Sequence, residues 1–189
     1  MHWKKQISII VAMLFSSTIY GANILMSLGP EVGVISLKDD GAEPTPDYKS
    51  LGGDVTIGYY WKSGFTLGLY GRYLPAKKQV TDLETGYLHF YDYGGDLALR
   101  GKNLILSLRG GRAGYVLGED RERLQETNAE IHPQGVGASL GVGIYSRWKG
   151  TLWEFLIRAG SHLFENQELN VARRQRLDTL GFSTVFTFY

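Results

Sequence analysis

The sequence predicts an all-β chain: an eight-stranded antiparallel up-and-down transmembrane β-barrel. Three observations carry that expectation. Apolar and polar residues alternate with period 2 in about eight segments of roughly ten residues or more. The connections between them alternate as well, long polar stretches with tight turns, so a meander places every long loop at one end. And 25 glycines and 12 tyrosines stand against 5 prolines, a mixture that suits closely packed strands better than helices.

Residues 1–22 read as a signal peptide. Lys4 and Lys5 precede an apolar run at 7–15, and a small and polar stretch follows at 16–22. The run is shorter than the roughly 18 residues a spanning helix needs. Residues 23–189 are then the barrel domain. Without Lys4 and Lys5, 18 basic residues face 19 acidic ones, and no basic tail or patch points to nucleic acid. The chain has no cysteine, which excludes disulfides, a thiol nucleophile and thiolate metal sites.

The segments follow in order. The first lies within 23–38, with Met26, Leu28, Val32 and Val34 on one face; Pro30 cannot donate a ladder hydrogen bond, so this strand is expected to start late or bulge there. In the second, Leu51, Val55, Ile57, Tyr59 and Trp61 alternate with Gly52, Asp54 and Thr56. The third sets Phe65, Leu67, Leu69 and Tyr73 against Thr66, Gly68 and Arg72. The fourth sets Tyr91, Tyr93, Leu97 and Leu99 against Asp92, Asp96 and Arg100. In the fifth, Leu104, Leu106 and Leu108 give way to Ala113, Tyr115 and Leu117, a change of parity that predicts a bulge at Gly110 and Gly111. The sixth opposes Val136, Ala138, Leu140, Val142 and Ile144 to a glycine face. The seventh opposes Trp153, Phe155, Ile157 and Ala159 to Glu154, Arg158 and His162. The eighth, with Leu180, Phe182, Phe186 and Phe188, is expected to close onto the first and so leave no unpaired edge. Long loops are expected at 39–49, 75–85, 118–133 and 165–175, and short turns at 62–64, 101–103 and 149–150.

Three features assign the faces. Trp61, Trp148 and Trp153 adjoin the short turns, as in an interfacial aromatic girdle, and Tyr73, Tyr87, Tyr91 and Tyr115 could form a second one near the loops. Glycines concentrate on the non-apolar face, where a narrow interior needs small residues. That face also carries Asp54, Arg72, Asp92, Asp96, Arg100, Arg109, Glu154 and Arg158. Facing lipid at mid-depth, each Arg would cost roughly 2–4 kcal/mol, so the set is expected to line the lumen as a charge network.

With these features the chain resembles the small outer-membrane β-barrels of the OmpA/OmpX type. The likeness covers the whole of 23–189 through signal peptide, strand count, loop asymmetry and an aromatic C-terminal strand. One departure is Tyr189, a step beyond the outward Phe188 on which such barrels usually end. The resemblance implies a bacterial outer-membrane location, outer-membrane lipid and lipopolysaccharide as surroundings, and recognition by the barrel-assembly machinery. A monomer is expected.

The expected function is structural or one of surface interaction around a side-chain-filled lumen, since eight strands leave an interior that side chains fill. A narrow ion or small-solute channel of porin-like kind is the alternative, and a lipid A-modifying enzyme a lesser one. For such an enzyme Ser161 and His162 would be nucleophile and base, but adjacent strand residues point to opposite faces, and the chain has no Gly-x-Ser-x-Gly. His89 and His132 lie elsewhere, so no catalytic residue is assigned, and a rim hydrogen bond is the expected role of His162. No metal or cofactor site is expected: Glu119, Asp120, Glu122, Glu126 and Glu130 are interleaved with Arg121 and Arg123 and lack calcium-loop spacing. Arg173, Arg174 and Arg176 form a compact basic cluster that could bind lipopolysaccharide phosphates.

Overall fold

Alternation over fourteen to eighteen residues at a time makes strands far longer than a soluble sheet requires, and such strands can satisfy all their backbone groups in a membrane only by closing. The computed structural model, which describes residues 22–39, 47–79, 85–118, 133–148, 151–166 and 173–188, has this form. Eight strands, β1 Ala22–Asp39, β2 Tyr48–Trp61, β3 Phe65–Gln79, β4 Thr85–Arg100, β5 Leu104–Gly118, β6 Gln134–Trp148, β7 Thr151–Asn166 and β8 Arg173–Phe188, make a closed antiparallel barrel in sequence order. Residues 1–21, all but the last of the stretch expected to be a signal peptide, and Tyr189 lie outside the described residues, and β1 begins at Ala22.

The register fixes the geometry. Pair by pair, Leu25 leads through Gly58, Gly68, Asp96, Arg109, Ser139, Gly160 and Thr179 back to Ile35, ten residues further along β1. That stagger across eight strands tilts them by about 40° from the barrel axis. A strand of 16 residues such as β4 then rises about 40 Å, well beyond an apolar band about 25 Å tall. The wall therefore continues into what the sequence suggested were loops: β3 and β4 run on to leave only 80–84 between them, and 167–172 alone separates β7 from β8. At the other end, Gly64 adopts φ 90°, which lets its N–H reach Trp61 O at 2.9 Å and close the β2–β3 turn.

Two sequence expectations are corrected. Pro30 neither delays nor bulges β1; the strand passes straight through it, paired with Gly53 on β2, and only the β8 side lacks pairs at Gly29 and Pro30 before resuming in the same register. Pro75 behaves alike: it lies inside β3 opposite His89, and the β2–β3 ladder alone skips there. A strand N–H points to one neighbour only, so each proline interrupts one ladder and leaves the other whole. The bulge at Gly110 and Gly111 is likewise absent, since β5 keeps one register with β4 and β6 throughout. Ala113 and Tyr115 simply face inward, because the lumen turns apolar at that height.

Candidate functional site

The inward face is layered. Toward the loop end, Ile35, Leu37, Tyr48, Leu74, Leu88, Phe90, Ala113, Tyr115, Phe164 and Leu177 form one apolar cluster, and Tyr115 donates its hydroxyl to Gln175. Tyr115 therefore belongs to the lumen and not to the outer girdle proposed for it. Below this cluster lies the charged layer, and toward the turn end a smaller cluster of Ala98, Ile105, Leu156 and Val185.

All eight charged residues singled out from the sequence face the lumen, together with a ninth, Glu31. Seven of these nine join into one network. Arg72 donates through Nε and Nη2 to the two oxygens of Asp92 at 2.8 and 3.0 Å, and through Nη1 to Glu31 Oε1 at 3.2 Å. Glu31 Oε2 accepts from Arg158 at 3.3 Å, and Arg158 also reaches Asp54 at 3.1 Å. Asp54 accepts from Arg109, whose Nε donates to Asp96 at 2.8 Å and whose Nη2 donates to Thr56 at 3.0 Å. Tyr70 donates to Asp92 at 3.2 Å, and His162 Nε2 lies 3.3 Å from the same carboxylate. The remaining two, Arg100 and Glu154, make a separate pair at 2.7 Å near the turns, where Arg100 also meets Thr66.

The chain thus runs His162, Asp92, Arg72, Glu31, Arg158, Asp54, Arg109, Asp96: four carboxylates, three guanidiniums and one imidazole, drawn from six strands. Its members are almost fully buried; Arg158 is 2% and Glu31 1% exposed. Charges can remain so only when each is paired, which the planar fork of arginine does for two carboxylates at once. Glycine makes the room. A Cβ at Gly137 would collide with the His162 ring, and one at Gly141 would meet Ser107 and come within 3.5 Å of Arg158 Nε.

His162 is not a rim residue but a buried lumen one, its ring edge-on to Phe90 at 4.8 Å. Ser161 is half-buried on the other side of the wall, beside Asp178. Among the described residues no three His, Asp or Glu stand where they could hold a metal, and the acidic loop residues at 119–130 lie outside those described. Glu31 is hidden in the sequence by its neighbour Pro30, which suggests a broken strand. Continued alternation from Met26 and Leu28 to Val32 and Val34 was the signal that placed it inward.

The outer face is the complement. Leu69, Val136, Ile144, Ile157 and Leu180 each expose more than half of their surface, and such a belt encircles the barrel. A water-soluble protein does not leave apolar area of that extent bare; lipid covers it. Aromatic rings rim the turn end, with Trp61 and Phe65 at 5.3 Å, Trp148 and Trp153 at 6.3 Å, and Trp153 and Phe186 at 4.9 Å. Tyr73 and Tyr93 stand exposed further up, Tyr73 against His89. The fold is that of a small bacterial outer-membrane barrel.

Solved structures agree. The attachment invasion locus protein Ail of Yersinia pestis matches over 89% of this chain and 99% of its own, at 14% identity and a TM-score of 0.50. Neisserial surface protein A matches over 87% of this chain and 97% of its own, at 11% identity and a TM-score of 0.54. Likeness at such identity is one of fold. No protein-family model matches the chain, and no curated protein matches it in sequence.

Of the basic cluster near β8, Arg176 is exposed on the outer face, where its Nε donates to Asp178 at 2.7 Å; the side chains of Arg173 and Arg174 are not among those described. Lys38 donates to the other oxygen of Asp178 at 3.0 Å.

Proposed function

We infer that this chain is an outer-membrane protein of structural or surface-interaction type, in which the barrel is a closed, internally braced scaffold that presents its loop end to the exterior. The observation that carries this reading is the filled lumen. The cavity between Arg109, Arg158, Glu154 and their neighbours measures about 10 Å³, at the lower limit for holding a single water. Above it the apolar cluster caps the network. Such an interior favours bracing over conduction, and what is left to interact is the outside. The names of the two structural neighbours, an attachment invasion locus protein and a surface protein, support a surface role.

Two measurements test this. Single-channel recording of the refolded barrel in planar bilayers should show no resolved steps; regular steps from the wild-type protein would replace the scaffold with a channel. Replacing 119–132 and 167–172 with short turns should leave the heat-dependent gel shift of a folded barrel intact while abolishing attachment of expressing cells to a surface. Unchanged attachment would remove the loops from the function.

A further inference from the structure

A strand register that sets like charges directly opposite each other is unfavourable unless an anion lies between them. Among the described residues of the outer face that happens twice. Lys38 on β1 pairs in register with Arg176 on β8, and Asp178 bridges the two. Lys49 on β2 pairs with Lys77 on β3, both exposed. Asp47, exposed on the same strand end as Lys49, accepts from Ser36. No described carboxylate is ion-paired to Lys49 or Lys77.

The height of the pair bears on which anion would meet it. Lys77 stands twelve residues above the girdle residue Phe65 on one strand, and Lys49 twelve above Trp61 on the next. At the tilt of this barrel that is about 30 Å along the axis, just past an apolar band about 25 Å tall. The lysines therefore lie at the level of headgroup phosphates in the leaflet at the loop end. Directly beneath them the wall is hollowed: Pro30, Gly53 and Gly71 border an open groove of about 680 Å³, flanked by Val55, Tyr73 and Tyr93. Gly71 does not need to be glycine for the fold, since a Cβ there would meet only Val55 Cγ1, at 3.9 Å. Its effect is to keep the groove open at mid-depth.

We propose that Lys49, Lys77 and the groove below them form a binding site for one lipopolysaccharide molecule, with a lipid A phosphate between the lysines and an acyl chain lying across Gly71 toward Pro30. The proposal rests on the outer-membrane placement above. Lipopolysaccharide is favoured over a glycerophospholipid because the site faces the leaflet at the loop end, and because Lys38 on β1 and Arg176 on β8, which keep one net positive charge after Asp178, extend the basic surface toward a second phosphate. Binding by charge to charge at an interface is worth enough that losing both lysines should weaken it about tenfold or more.

The test uses the folded residue 23–189 protein in detergent with purified lipopolysaccharide or phosphatidylethanolamine, and retained lipid is counted by native mass spectrometry. The wild type should hold one lipopolysaccharide. Lys49→Gln with Lys77→Gln should lose it, and Gly71→Leu, which fills the groove without touching the charges, should lose it as well. Lys102→Gln, in a turn at the opposite end, should retain it. Equal retention by all variants, no retention by the wild type, or equal retention of phosphatidylethanolamine would overturn the proposal. A heat-dependent gel shift measured on each sample separates these results from failure of the barrel reading itself, in which the wild type would show no shift.

Discussion

Arg158 lies at the centre of the lumen network, and its replacement by methionine gives the most demanding test of the bracing interior. The side chain is 2% exposed and donates from one Nη1 to Glu31 at 3.3 Å and to Asp54 at 3.1 Å. Methionine fills similar volume but removes the charge, so each carboxylate keeps a single arginine, Arg72 for Glu31 and Arg109 for Asp54. Breaking a buried pair costs about 3–5 kcal/mol, and the surviving partners hold the expected loss near the lower figure, about 3 kcal/mol. In urea, with a slope of about 1–3 kcal/mol per molar, the unfolding midpoint in lipid vesicles should fall by about 1–3 M. Tryptophan emission reads it well, because Trp61, Trp148 and Trp153 all lie in the rim that meets lipid. Adding Glu31→Gln to the variant removes one of the two under-paired carboxylates and should recover part of the loss. A single variant within about 0.5 kcal/mol of wild type, or a double variant whose loss equals the sum of the two singles, would refute the network as a coupled unit.

Other expectations follow from the same geometry. Gly137→Ala puts a methyl into the His162 ring and should cost about 1–3 kcal/mol by overpacking, measured by the same unfolding assay; no loss would mean that the ring has room to move. Leu69→Arg, on the outer face near mid-depth, should cost about 2–4 kcal/mol in vesicles, and a neutral result would contradict the assignment of that face to lipid. Pro30→Thr restores a donor where the β1–β8 ladder skips and should gain about 0.5–1.5 kcal/mol, with slowed amide exchange in β8 near Thr184; unchanged exchange would show that the skip has another cause.

Much of this molecule was legible in one dimension because a membrane barrel obeys a period of two and a sign rule. Met26, Leu69, Ile157 and Phe182 could be placed outside, and Asp92, Asp96 and Arg100 inside, from alternation and the cost of a charge in lipid alone. The rule failed where the lumen itself became apolar. Ala113 and Tyr115 read as outward because they are apolar, whereas their neighbours Phe90, Phe164 and Leu177 make the inside equally so. It failed again at Pro30, where the loss of one donor looked like the loss of a strand and hid Glu31.

The sequence by itself determined the eight strands, most of their faces and the aromatic rim at the turn end, since each depends on local alternation and on which residues lipid rejects. The tertiary structure alone decided which charges meet. A ten-residue stagger sets Glu31 of β1 between Arg72 of β3 and Arg158 of β7, and separates Arg100 and Glu154 from the rest. Stagger is a property of ring closure, accumulated over eight register choices, and no single segment of sequence carries it.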